Sequence, residues 1–139
     1  MFLLDTDILT LLLRDNPKVI QRVHSLDAAE IATTIISRIE ILRGRFASVL
    51  KAANKEEWLR AQDWLANDER SLAKLKIVPI DEQSADEFER LKTTKKVRKM
   101  GLADLLIACL ALSRGATLVT RNVKDYRLVP GLKIENWAD

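Results

Sequence analysis

Three acids in this chain of 139 residues stand where chemistry could be done: Asp5 after an apolar triplet, Glu40 within an amphipathic run, and Asp104 at the start of an apolar one. Asn122 and Asp125 add oxygen donors further along. Gathered within about 5 Å, three carboxylates would repel by roughly 3 kcal/mol per pair at an effective dielectric of about 20, so such a cluster must take up protons or a cation. A hard divalent ion, Mg2+ or Mn2+, is the simplest counter-charge, because both prefer oxygen ligands and keep waters in open positions. Phosphodiester hydrolysis by an activated water is the chemistry this would serve. His24 is the only histidine, which excludes a mechanism using a histidine pair within one chain.

The hydrophobic pattern shows what must position these residues. Phe2-Leu3-Leu4 reads as a short buried strand ended by Asp5, and Ile8, Leu11 and Leu12 set helical spacing from about Asp7. Asn16-Pro17 offers a cap and first residue for a second helix that ends near Asp27. Glu30 to Ile35 has the β-branched content of a second strand, and Ser37 to Leu50 returns to helical spacing through Ile39, Leu42, Phe46 and Val49. A long amphipathic stretch from Lys55 to Lys74 leads to a third strand over Lys76 to Ile80, near an edge because of Pro79. Asp81 is placed to cap the helix bearing Ala85, Phe88 and Leu91. From Leu102 to Arg114 the pattern is that of a helix buried on most sides, ended by Gly115. A fourth strand is expected over Ala116 to Thr120 and a fifth over Leu132 to Glu135. Strands alternating with helices predict an α/β fold with a mainly parallel sheet of four or five strands.

In such a sheet the carboxyl ends of strands and the amino ends of neighbouring helices share one edge, where ligands bind. Asp5, Glu40, Asp104, Asn122 and Asp125 all fall at that edge. Each acid also has a structural alternative: Asp5 could cap the first helix, although Asp7 is the better placed, Ser37-x-x-Glu40 matches a capping box, and Asp104 could answer a helix dipole. Their convergence favours chemistry over capping.

Composition narrows the classes. With 47% hydrophobic and 31% charged residues, few glycines and few prolines, the chain suits one globular domain without linkers. Its first residues lack the order of a signal peptide, and the longest apolar run, Leu105 to Leu112, falls far short of the ~20 residues of a membrane span. A lone Cys109 inside an apolar helix forms no intramolecular disulfide, so the cytoplasm is the expected location. The net charge of +3 permits a polyanionic partner, since acids drawn into a metal site leave the remaining surface more basic. Lys92, Lys95, Lys96, Arg98 and Lys99 precede Asp104, and Arg121, Lys124 and Arg127 follow the fourth strand; both sets could gather phosphates. Trp58, Ala61, Leu65 and Leu72 share a helical face expected to join the core, with a protein contact as the alternative.

Taken together, Leu3–Asp7, Ile36–Gly44, Leu102–Ala108 and Val119–Tyr126 resemble the four motifs of the PIN-domain ribonucleases, particularly the toxin subunits of VapBC toxin-antitoxin pairs, in order and spacing across essentially the whole chain. The resemblance implies a three-layer α/β/α domain over residues 1–139. It implies an Mg2+- or Mn2+-dependent endoribonuclease, a homodimer, and a cognate antitoxin that blocks the site. Asp5, Glu40 and Asp104 would be catalytic metal ligands, joined by Asn122 and Asp125. Thr6, Thr120, Arg121, Lys96, Arg98 and Lys99 would meet the RNA substrate. Two positions depart from the family pattern: Asp7 stands where asparagine or serine is usual, and Asn122 where aspartate is.

Two other functions compete. A signalling receiver module also uses an acidic Mg2+ pocket, with Asp81 as phospho-acceptor, but gives no reason for Glu40 and Asp104. A non-toxic RNA-processing protein would keep the fold. Neither G-x-G-x-x-G nor G-x-x-x-x-G-K-[ST] occurs, which argues against a nucleotide-binding domain.

Overall fold

The computed structural model describes residues 1–139. Five parallel strands, β1 (Phe2–Leu4), β2 (Ile31–Thr34), β3 (Lys76–Val78), β4 (Thr117–Val119) and β5 (Lys133–Glu135), form one sheet in the order β3-β2-β1-β4-β5. The helices are α1 (Thr6–Leu13), α2 (Pro17–His24), α3 (Ile35–Lys51), α4 (Lys55–Ala73), α5 (Glu82–Leu91), α6 (Leu102–Ser113) and α7 (Val123–Tyr126). Register places Leu4 beside Thr33 and Val119, so the residues that follow these strands emerge side by side at the carboxyl edge.

Strand alternation divides the core into layers. Leu3, Ala32 and Leu118 face a cluster built with Leu91 of α5 and Leu105, Ile107, Ala108 and Leu110 of α6. Leu4, Ile31 and Val119 face the opposite side, against Ile8 of α1, Val19 of α2 and Trp137. Leu9, Leu42 and Leu72 join α1 to the α3–α4 hairpin in a third cluster. The result is the three-layer α/β/α arrangement, with every strand parallel and the fifth strand present.

Several local expectations are corrected. Helix α1 starts one residue earlier than the spacing suggests, because Asp5 rather than Asp7 is its N-cap, accepting from the Ile8 amide. Helix α3 starts at Ile35, where Thr34 accepts from the Ser37 amide. Ser37 and Glu40 therefore form no capping box; both are interior helical residues, and β2 ends at Thr34. β3 stops at Val78, before Pro79, and lies at the sheet edge. Ala61 and Leu72 enter the core, but Trp58 remains 52 % exposed in the first turn of α4, just after the turn that joins α3 to α4. The basic stretch before α6 is a series of turns from Lys92 to Met100, anchored by fully buried Val97. Gly115 follows α6 at φ +60, a left-handed conformation that glycine adopts without strain. Gly44 is different: it lies inside α3, where glycine costs about 1 kcal/mol relative to alanine.

The Thr34 cap sets where α3 begins and hence where Glu40 sits. Thr34→Ala is expected to destabilise the protein by about 1 kcal/mol in chemical denaturation. Unchanged stability would show that the cap does not hold this helix end.

Candidate active site

Asp5 leaves β1 at the carboxyl edge, its amide still donating to the Val119 carbonyl at 3.0 Å. Its side chain is 4 % exposed. Oδ1 accepts from the Ile8 amide at 2.9 Å, and Oδ2 accepts a short hydrogen bond from the Thr120 hydroxyl. Thr120 Oγ1 also accepts from the Asn122 amide at 2.9 Å. Burial pushes the Asp5 carboxyl up to about 6, against the lowering effect of Ile8 and Thr120, and the charges of Asp7 and Asp104 add to the rise.

Glu40 is reached through hydroxyls. Thr6, in the first turn of α1, donates to Glu40 Oε1 at 2.7 Å and lies 3.0 Å from Ser37 Oγ. A hydroxyl carries one proton. With that of Thr6 given to Glu40, Ser37 must donate in their contact. The Thr34 cap thus links through Ser37 and Thr6 to the acid.

Asp104 lies in the first turn of α6, where Gly101 provides no side-chain cap. Its Oδ1 accepts from the Tyr126 hydroxyl at 3.3 Å. Burial raises the Asp104 carboxyl, Tyr126 opposes that, and Glu40, Asp125 and Asp7 reinforce it. Burial also raises the Tyr126 phenol, with Asp104 and Asp5 adding to the effect, so it stays a donor.

Asp5, Thr6, Asp7, Glu40, Asp104, Asn122 and Tyr126 line one cavity of about 260 Å3. The ion pairs of the structure involve other acids: Glu30, Asp68, Asp81, Glu87, Glu89, Glu135 and Asp139. No lysine or arginine neutralises the cavity. No three of its acids converge closely enough to ligate one ion together, so the close three-carboxylate cluster expected above is not preformed. The donors still suit a hard cation, because Mg2+ commonly takes one or two carboxylates and completes its shell with water.

Other assigned residues fall outside the cavity. Thr120 is fully buried and supports Asp5, so it is not a substrate contact. Asp125 is exposed, accepts from the Asn122 amide group at 3.0 Å, and influences Asp104 only through its charge. It lies within α7 and does not cap it. Lys96, Arg98 and Lys99 are exposed on the turns before α6, and exposed Arg121 is 3.6 Å from Asp139. Asp81 caps α5 and pairs with Arg114, away from the acids, which removes the basis for a receiver-like phospho-acceptor. Sequence reasoning missed Tyr126 and the cavity position of Asp7. Asp7 was within reach, since an acid two residues after Asp5 occupies the same helix start; the Tyr126 contact with Asp104 has no local signature.

The family model described as PIN domain matches residues 2–130. The chain belongs to the PIN-domain family. It is similar to "Ribonuclease VapC1" of Haemophilus influenzae, 30% identical over 141 residues that span 99% of this chain and 98% of the relative. It is also similar to "tRNA(fMet)-specific endonuclease VapC" of Salmonella typhimurium, 26% identical with the same coverage. Among solved structures, the DNA-bound VapBC of Salmonella typhimurium matches with a TM-score of 0.80 at 26% identity, covering 98% of this chain and 97% of that one. The cavity therefore lies in a PIN domain, at the edge where its acids were expected.

Because its folded pKa is raised, Asp5 favours the fold while protonated, and this contribution is lost as pH rises through about 6. Protein kept free of divalent ions is expected to lose on the order of 1 kcal/mol from this residue between pH 5 and 7.5. Thermal melts of wild type and Asp5→Asn check this: the variant should show a smaller loss. Identical pH dependence would assign the effect elsewhere.

Proposed function

We infer that this PIN domain is an endoribonuclease dependent on Mg2+ or Mn2+, acting as the toxin of a toxin-antitoxin pair. The observation that carries the reading is a cavity lined by Asp5, Asp7, Glu40 and Asp104 without a basic partner. Uncompensated carboxylates beside an open cavity favour a cation, and with it a phosphate. Asp5, Glu40 and Asp104 would share the ion, one or two of them ligating it directly and the rest through its bound waters, with the Asn122 amide oxygen available at the rim. When bound, a hard divalent cation supplies Lewis-acid polarisation of the phosphate and an activated water.

The chain's own groups do the positioning. The Ile8 amide and Thr120 hydroxyl fix both Asp5 oxygens, Thr6 orients Glu40, and Tyr126 orients Asp104. Fixed ligands keep a site pre-organised. Outside the cavity, Lys95, Lys96, Arg98 and Lys99 form no ion pair and are suited to hold RNA phosphates beside Asp104. Arg121, exposed after β4, is a further cation near this edge of the sheet.

An antitoxin partner is supported by the relatives solved as VapBC complexes and by an apolar face on α3, where Ile39 and Phe46 are each 49 % exposed and Leu50 is 85 % exposed, in a groove that Arg38 and Arg43 also line. The same kind of surface suits a homodimer. No helix is long and apolar enough to cross a membrane.

Purified protein freed of any partner should cleave RNA in Mg2+ or Mn2+, leaving 3'-hydroxyl and 5'-phosphate ends, and EDTA should abolish the activity. Full activity in EDTA, or 2',3'-cyclic phosphate ends, would contradict the metal-activated water. Asp5→Asn, Glu40→Gln and Asp104→Asn should each lose growth inhibition on expression and remain folded; toxic or unfolded variants would return these acids to structural roles. Replacing Lys96, Arg98 and Lys99 together by alanine should weaken RNA binding and reduce its salt dependence, by about 0.7 in log–log slope for each single-strand phosphate that is no longer neutralised.

A further inference from the structure

A second cavity, of about 290 Å3, adjoins the catalytic one and shares Thr6 and Glu40 with it. Leu13 of α1, Arg14 just past its carboxyl end, and Ile41, Gly44 and Arg45 of α3 supply much of its wall. Two of these residues are unexplained by the fold.

The first is Gly44. It occupies the middle of the 17-residue helix α3, where almost any other residue would favour the helix more. A Cβ built there meets nothing within 4 Å, so no neighbour in the folded chain requires its absence. The space over Gly44 opens into the cavity. The second is Arg14. Arg45 is held by Asp68 at 2.5 Å and lies over the Trp64 ring, whereas Arg14 is exposed and forms no ion pair. A free guanidinium at the mouth of a cavity that shares a wall with Glu40 suits a phosphate.

We propose that this side cavity is a nucleotide subsite, taking the base and ribose adjoining the scissile phosphate. Gly44 leaves room for the base against α3, and Arg14 holds the neighbouring phosphate. Leu13 and Ile41 offer apolar surface to the base, and the volume suits one nucleoside rather than a longer strand. This inference rests on the ribonuclease reading and adds to it a pocket that sets which nucleotide flanks the cut. A protein segment could also fill such a space, but the shared Glu40 wall and unpaired Arg14 favour a substrate that carries phosphate.

The test compares wild type with Gly44→Ala, Gly44→Leu and Arg14→Gln, all as full chains. Affinity for a short labelled single-stranded RNA is read by fluorescence anisotropy with Mn2+ in the Asp104→Asn background, and cut sites are mapped in the otherwise native chain. Gly44→Leu should weaken RNA binding about tenfold by excluding the base. Gly44→Ala should raise the melting temperature by about 3–5 °C and shift the nucleotide preference at one position beside the cut. Arg14→Gln should lower the salt slope by about 0.7, the effect of one single-strand phosphate.

If wild type cleaves RNA with metal while Gly44→Ala, Gly44→Leu and Arg14→Gln bind and cut as it does, the subsite is overturned and the ribonuclease reading stands. Variants that keep RNA affinity and cut sites but escape inhibition by the antitoxin would give the cavity to the protein partner, which also overturns the proposal. A wild type without metal-dependent cleavage would remove the ribonuclease reading, and the subsite with it. Should Gly44→Leu fail to fold, Gly44→Ala and Arg14→Gln still decide the outcome.

Discussion

Asp5 is held almost out of water where β1 meets α1, with one oxygen on the Ile8 amide and the other on Thr120. Two donors offset only part of what burial costs a carboxylate, and the pKa near 6 is the remainder. The fold keeps this unfavourable group because it is also a helix cap: removing it would leave the start of α1 without its acceptor. One side chain thus joins the sheet, the helix and the cavity. Its partner Thr120 ties it to β4, and the Thr120 amide, donating to the Glu135 carbonyl, ties that strand end to β5.

The other acids are brought to the same cavity from separate elements, each with its own hydroxyl. Glu40 comes from α3 through Thr6, and Asp104 from α6 through Tyr126. Neutral donors orient a carboxylate without cancelling its charge, whereas a lysine or arginine would have done both. The cavity therefore retains its negative potential, and the chain's cations remain on the surfaces around it. That division is what lets one small domain attract a cation inward and a polyanion across its rim.

Much of this was legible in the sequence because hydrophobic period and strand-helix alternation are local signals. The short run Phe2-Leu3-Leu4 followed by Asp5 located the carboxyl edge, and the uncharged span after Asp104 marked α6 as buried. What the sequence misplaced were choices between near-equal local options. Asp5 and Asp7 can both cap α1, and the chain uses the one whose second oxygen finds Thr120 across the sheet. Ser37-x-x-Glu40 imitates a capping box, yet Thr34 caps α3 because β2 ends there. The Tyr126–Asp104 contact joins residues 22 apart and depends on how α7 turns back over α6. Thr120 looked like a substrate contact from its place in a motif, but register with β1 turns its hydroxyl inward.

The central claim is that these unpaired carboxylates form a cation site, and calorimetric titration of Mn2+ into the metal-free protein at neutral pH tests it most directly. Wild type should bind Mn2+ and, when the titration is repeated near pH 6, release a fraction of a proton, because the Asp5 carboxyl is about half protonated there and must ionise to ligate. A double variant, Asp5→Asn with Asp104→Asn, should bind at least tenfold more weakly and release fewer protons. Equal Mn2+ affinity in the two proteins would contradict the account.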